Sequence, residues 1–318
     1  MDKLRLGVAG ANGAFATKHL DALAAIENAD IAAVMATSLE KADTVADKFS
    51  VPNRYDDYDT FLTCPDLDAV ILATPTQIHA EQGLKAMKAG KHVLIEIPMA
   101  DSLTDSEHLV AIQAKTGLTA MAGHVRRFNP SHQWVNQKIS RSELSIQQMD
   151  VQTYFFRRTN MNAKGEPRSW TDHLLWHHAC HTIDLFLYQT GENIVEVQAM
   201  QGPEHPELGI AMDIAIIMKT VTGKLCTLSL SFNNDGPFGT FFRYICDKGT
   251  YIARYDDLFD GHGKQIDVSG IDVSTNGIEL IDREFMSAIN QKREPNASLT
   301  QCLPAMRILH EIDLKMSK

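Results

Sequence analysis

The sequence predicts an α/β protein in two parts: a doubly wound parallel sheet over residues 1–122, then an α+β domain with a large, mainly antiparallel sheet over residues 123–318. Three observations lead there. At 318 residues the chain exceeds what one small hydrophobic core serves and suits two domains. Through about residue 122, short apolar runs alternate with stretches of helical periodicity, the pattern of consecutive βαβ units. Beyond Arg127 the apolar runs lengthen and partly alternate, as in strands with one buried face.

In order, "LRLGVA" reads as the first strand and "AFATKHLDALAAI" as the helix after it. "DIAAVMA" is the second strand, after which Ser38 is placed to cap the helix "LEKADTVADKF". "DAVILAT", "KHVLIEI" and "LTAMAG" supply further buried strands, with Gly90 ending the helix before the second of them. In the second part, "IQQMDVQTYFF", "IAMDIAIIMKT", "KLCTLSLSF" and "TFFRYICDKGTYIARYDD" read as long strands, and their Thr-Gly and Lys-Gly turns fit antiparallel hairpins. Helices "REFMSAINQ" and "SLTQCLPAMRILHEIDLKM" close the chain.

Composition excludes several classes. With 44% hydrophobic and 22% charged residues the chain has the balance of a folded globular protein. Its formal charge of −10, with no Lys/Arg run, repels phosphate backbones, so nucleic acid is not expected as a partner. No apolar run approaches a membrane span, and "MDKLRLGVAGANG" enters a strand too early for a signal peptide. The five cysteines show no paired spacing, which predicts a reducing, cytoplasmic location.

Between the first strand and helix, "AGANGAF" forms a glycine-rich turn where a dinucleotide pyrophosphate would meet helix N-terminal amides. It is an imperfect fingerprint: Ala11, Gly13 and Ala16 take the three glycine positions, with Gly10 just before. The candidate cofactor contacts here are Ala11, Asn12, Gly13, Ala14 and Phe15; a plain tight turn is the alternative. At the end of the second strand, Ala36-Thr37-Ser38 carries no acidic residue to hold a ribose 2′-hydroxyl and repel a 2′-phosphate. Thr37 and Ser38 therefore favour NADP, with NAD used less efficiently. Thr74, Pro75, Thr76 and His79 follow another strand's carboxyl end, where doubly wound sheets bind ligands.

"DAVILATPTQIHAEQGLKAMKAGKHVLIEIPMADSLTDSE", "GHVRRFNPSH" and "WHHACHTIDL" together resemble the signature segments of the Gfo/Idh/MocA oxidoreductase family, and the likeness covers essentially the whole chain. The resemblance implies a Rossmann domain for the cofactor, with Glu96 and Pro98 beside the nicotinamide or Glu96 merely capping a turn. It also implies a second domain for substrate and for assembly into a homodimer or larger oligomer through its open sheet face. The strings "IQQMDVQTYFFRR", "NMNAKGEPRSWTDHLLWHHA" and "FNNDGPFGTFFRYICD" resemble a branch that acts in protocatechuate 4,5-cleavage. For it the implied reaction is NADP-dependent oxidation of a ring-cleavage semialdehyde, as its cyclic hemiacetal, to 2-pyrone-4,6-dicarboxylate.

Two departures from the family bear on mechanism. Its Glu-Lys-Pro motif is Glu96-Ile97-Pro98 here, which removes a lysine next to the reacting hydroxyl. On the later helix, the family's aspartate aligns with His177 and its histidine with His181. On a helix, residues four apart share a face, so His173, His177 and His181 form one stripe with His178 to its side. Imidazole titrates near neutral pH, so His181 is the expected general base and His177 its orienting or substrate-contacting neighbour. A metal is not expected, because hydride transfer needs none; imidazoles merely filling a helix face are the bland alternative.

A dicarboxylate substrate needs cationic partners. Arg127, Arg168 and Arg243 are candidates, with His178 beside them, and Arg157 and Arg158 are further possibilities. Arg126 stands where cofactor and substrate carboxylate would meet and is assigned to the cofactor; Trp170 either packs on the nicotinamide or joins the core. Two other readings remain: a sugar or polyol dehydrogenase, against which Ile97 argues, and a non-catalytic NADP sensor, which would not need the histidines.

Overall fold

The computed structural model describes residues 3–161, 165, 167–168, 171–271 and 277–316. They form two compact units, Met1–His124 with Ile278–Leu303, and Val125–Gly277 with Pro304–Lys318.

In the first unit, β1 (Leu4–Ala9), α1 (Ala14–Ala25), β2 (Ala29–Met35), α2 (Leu39–Phe49), β3 (Asn53–Tyr55), α3 (Tyr58–Leu62), β4 (Ala69–Leu72), α4 (His79–Lys88), β5 (His92–Ile95), α5 (Leu103–Thr116) and β6 (Ala120–Ala122) follow one another. The strands form one parallel sheet in the order β3-β2-β1-β4-β5-β6, the doubly wound arrangement expected. β4 is buried along its whole length and β5 in all but its first residue, because helices cover both faces of a parallel sheet; hence their unbroken apolar sequences. Ser38 caps α2, its Oγ accepting from Lys41 N at 3.4 Å, and Gly90 follows α4 with φ +76°.

The second unit contains α6 (Pro130–Ser140), β7 (Ile146–Tyr154), α7 (Cys180–Thr190), β8 (Ile194–Gln201), β9 (Asp213–Thr220), β10 (Leu225–Ser231), β11 (Gly239–Cys246), β12 (Gly249–Arg254), β13 (Asp257–Asp260) and β14 (Gln265–Ile266). Its eight-stranded sheet has the order β14-β13-β12-β11-β7-β10-β9-β8. Every neighbouring pair is antiparallel except β7 with β10. β9 alternates without exception: Ile214, Ile216, Met218 and Thr220 are buried, while Ala215, Ile217 and Lys219 are exposed. One sheet face is thus core and the other open.

Two expectations are corrected. The sequence assigns residues 123–318 to the second domain, yet Ile278–Leu303 belongs to the first unit. There α8 (Ile278–Gln291) buries Ile281, Phe285 and Met286 and packs on α1, which buries Leu20 and Leu23. Ala122 N also donates to Ala297 O at 2.9 Å, extending the β6 edge. A helix stripe shows that it needs a partner but not which one. Second, the histidine segment is not a regular helix: Leu174–Ala179 is a π-helix that becomes α-helical only at Cys180. The last helix, α9 (Leu299–Met316), carries Pro304 inside it.

Candidate active site

In the first unit, β1 and β4 lie side by side at the point where the strand order reverses, and the loops after them are in contact. Gly10 has φ +78°, and a Cβ there would lie 2.5 Å from the backbone oxygen of Ala73, so only glycine allows this approach. Ala11 N donates to Met35 O at 2.8 Å, and Asn12 Oδ1 accepts from Thr37 N at 3.4 Å, which ties the glycine-rich turn to the end of β2. Gly13 is the N-cap of α1 and offers no side-chain cap, leaving the first amides of the helix, at Ala14 and Phe15, to other acceptors. This glycine-shaped cradle, opening onto an uncapped helix N-terminus at the switch point, fits a dinucleotide pyrophosphate.

The neighbouring residues play less uniform parts. Thr37 is exposed, and Ser38 uses its oxygen on Lys41 N, which leaves the hydroxyl proton for an anion. Thr74 and Pro75 are half-buried on the loop after β4. His79, by contrast, is buried between two carbonyl oxygens, Pro98 O at 2.9 Å and Thr74 O at 2.8 Å. It braces the loops after β4 and β5, and burial lowers its pKa. Thr76 is also buried, its Oγ1 donating to Asp101 at 3.3 Å. Glu96 follows β5 with its carboxylate on His19, a residue that looks in sequence like one more position on an apolar helix face.

In the second unit, His173 is the extended residue before the π-helix (φ −123°, ψ 161°), and its backbone N–H donates to His177 Nδ1 at 3.1 Å. That bond leaves the proton of the neutral His177 ring on Nε2. His177 is buried and, with His173 close by, has its pKa lowered to about 3. It is therefore a neutral donor near pH 7. His181 lies one turn later on α7, half-buried. The three-membered stripe is thus corrected to two imidazoles in different helical geometries, with His173 outside the helix.

His178 turns elsewhere, between the rings of Phe155 and Phe232 at 5.4 and 5.2 Å, with Nε2 3.3 Å from Asp172 Oδ2. Asp172 also accepts from Arg168 at 2.9 Å and from both terminal nitrogens of Arg157, which stacks on Phe232. Burial alone would raise the Asp172 pKa, but His178 and Arg157 outweigh it and hold the carboxyl well below the usual range. Two guanidiniums and an imidazole thus converge on one carboxylate. In sequence Arg157 is only a further candidate and nothing points to Asp172, since no local pattern pairs them.

The remaining arginines separate. Arg127 makes a buried two-point ion pair with Asp184, at 2.8 and 2.7 Å, and lies over the Tyr188 ring. Its fork serves a protein carboxylate, which corrects its assignment to a substrate carboxylate. Arg126 is buried over Tyr255 with Nη1 3.3 Å from Asn129 Oδ1, and its Nε has no hydrogen-bond partner among the described residues. Arg243 is exposed on β11, on the sheet face opposite the buried Phe242 and Tyr244, so the structure does not bring it to the histidines. Trp170 lies outside the described residues.

Comparison with known proteins accords with this geometry. Residues 4–124 match the oxidoreductase family with NAD-binding Rossmann fold, and residues 130–272 match the C-terminal domain of bacterial oxidoreductases. The chain is 59% identical over 315 residues, 99% of both chains, to 4-carboxy-2-hydroxymuconate-6-semialdehyde dehydrogenase of Sphingobium sp. strain NBRC 103272 / SYK-6. Its fold is that of UDP-N-acetylglucosamine 3-dehydrogenase from Acidithiobacillus ferrooxidans, with TM-score 0.84 and 21% identity over 99% of this chain and 98% of that one. Scyllo-inositol dehydrogenase from Lactobacillus casei shares it too, with TM-score 0.82 and 18% identity over 99% and 97%. The chain belongs to the Gfo/Idh/MocA oxidoreductase family, with an NAD-binding Rossmann domain.

Proposed function

We propose that this protein oxidises 4-carboxy-2-hydroxymuconate-6-semialdehyde, as its cyclic hemiacetal, to 2-pyrone-4,6-dicarboxylate in the 4,5-cleavage route of protocatechuate breakdown, preferring NADP to NAD. The observation that carries this reading is the 59% identity, over 99% of both chains, to a dehydrogenase of that name. A bound nicotinamide supplies the hydride acceptor. The protein's own task is to hold the hemiacetal and take its hydroxyl proton, because the carbon gives up hydride readily only as that proton leaves. His181 is the base we assign. His177, neutral with its proton on Nε2, donates a hydrogen bond to the substrate and so orients it. With isoleucine at position 97, no lysine competes for the proton.

The substrate carboxylates are met by His178, Arg168 and Arg157 around Asp172. The preference for NADP rests on the hydroxyls of Thr37 and Ser38 and the lack of a carboxylate before Glu40. A homodimer formed through the open face of the eight-stranded sheet accounts for exposed Ile217 and Met200 on adjoining strands. Among the described residues no helix is long and apolar enough to cross a membrane, and the buried cysteines suit a cytoplasmic location.

The test mixes pure protein with oxidised cofactor and either the semialdehyde or a panel of polyols, following absorbance of the reduced cofactor. Reduction with the semialdehyde, faster with NADP than with NAD, is expected. Turnover of polyols alone would move the protein to the sugar branch of the family, and no turnover of either would leave a sensor.

A further inference from the structure

The first unit holds a chain of three ionisable side chains to which the reaction above gives no part. His19 on α1 has no exposure; its Nδ1 lies 2.8 Å from Oδ1 of Asp282 on α8, which is equally buried. On the other side of the ring, Nε2 lies 2.9 Å from Oε1 of Glu96, at the carboxyl end of β5. A ring held between two carboxylates satisfies both only as imidazolium, each N–H donating once. Burial opposes that charge, but Asp282 and then Glu96 outweigh it and raise the His19 pKa to about 10.

Glu96 is the one member of the three that reaches solvent, its side chain 13% exposed. Among the described residues its second oxygen receives only a long contact, 3.4 Å, from the N–H of Ile97. Gly123 closes the other side: a Cβ there would lie 2.9 Å from Glu96 Oε1 and 3.2 Å from its Cα. The carboxylate is thus fixed by a ring anchored on two helices, while one oxygen remains available to a donor.

We propose that His19, clamped by Asp282, is a positioning residue that holds the Glu96 carboxylate in place to accept a hydrogen bond from a hydroxyl or amide donor on the nicotinamide riboside. The inference rests on reading Glu96 as a cofactor residue. It differs from a core-packing role because only one of the two ring nitrogens acts toward the cofactor.

That asymmetry supplies the test, because the amide nitrogen of Asn falls near Nδ1 of a histidine and that of Gln near Nε2. NADPH fluorescence titrations without substrate give the affinities, and thermal melts confirm folding. His19→Asn keeps the Asp282 contact and releases Glu96, so NADPH should bind about tenfold more weakly, the worth of one charge-assisted hydrogen bond. His19→Gln keeps the Glu96 contact and should stay within about threefold of the parent. Equal weakening in both variants, or in neither, overturns the proposal. Should His19→Asn not fold, Asp282→Asn replaces it, in a cycle with Glu96→Gln. Glu96→Gln should itself cost about tenfold, and Asp282→Asn added to it about twofold at most; full additivity overturns the proposal. Glu96→Gln binding NADPH like the parent removes the reading of Glu96 as a cofactor residue. Glu96→Gln weakened while the His19 and Asp282 variants bind normally removes the positioning role alone.

Discussion

His177 stays neutral in the folded protein because it is buried and has His173 against it, whereas in the unfolded chain it titrates near 6.5. As pH falls from 6.5 toward about 3, the unfolded state binds a proton that the folded state refuses, so stability is lost on acidification and is fully present above pH 6.5. Urea melts of the parent should lose about 2 kcal/mol more between pH 7 and pH 5 than those of His177→Asn. An identical loss in both would show that His177 does not titrate in this way. Its partner in the proposed mechanism answers to kinetics instead. His181→Asn should lower kcat by about 10²–10⁴ with a smaller change in cofactor affinity, and the acidic limb of the kcat/KM profile should vanish from what remains. A variant near parental kcat would move the base to His178, which already has Asp172 to orient it.

Two element ends, one in each unit, hold many of the candidate residues. The π-helix of Leu174–Ala179 widens one turn, and such turns are rare and recur at functional sites. Here it lets His177 and His178 face different partners, a backbone amide for one and Asp172 for the other. The second is the junction of β2 and α2, where Ser38 is both N-cap and candidate phosphate contact. Ser38→Asp separates the roles, since Asp caps a helix as well as Ser does but repels a 2′-phosphate. Melting temperature should be unchanged, and the ratio of kcat/KM for NADP to that for NAD should fall by tenfold or more, reversing the preference. An unchanged ratio would mean that cofactor choice is made elsewhere.

For the molecule as a whole, the prediction concerns assembly. The open sheet face sets exposed Ile217 and Ala215 on β9 and Met200 on β8 among polar neighbours, which a second copy would cover. Sedimentation should therefore give twice the chain's mass, and Ile217→Lys should return it to one chain with little loss of melting temperature, because the side chain is 52% exposed. A parent that sediments as a single chain would place the sheet face in solvent.

What the sequence alone determined is whatever is written in local period and turn chemistry. The apolar runs of β4 and β5, the cap at Ser38, Gly90 where the backbone turns left-handed after α4, and the alternation of β9 are each written in residues a few positions apart. The glycine-rich turn and the histidine cluster were legible for the same reason. Tertiary structure decided the pairings that make a side chain functional or structural. Arg127 goes to Asp184, Arg157 and Arg168 to Asp172, and His19 to both Glu96 and Asp282, partners up to 263 residues apart. An arginine or histidine reads the same in sequence whether it waits for a ligand or neutralises a buried carboxylate. Only burial and the distance to a counter-charge distinguish the two, and both are properties of the folded chain.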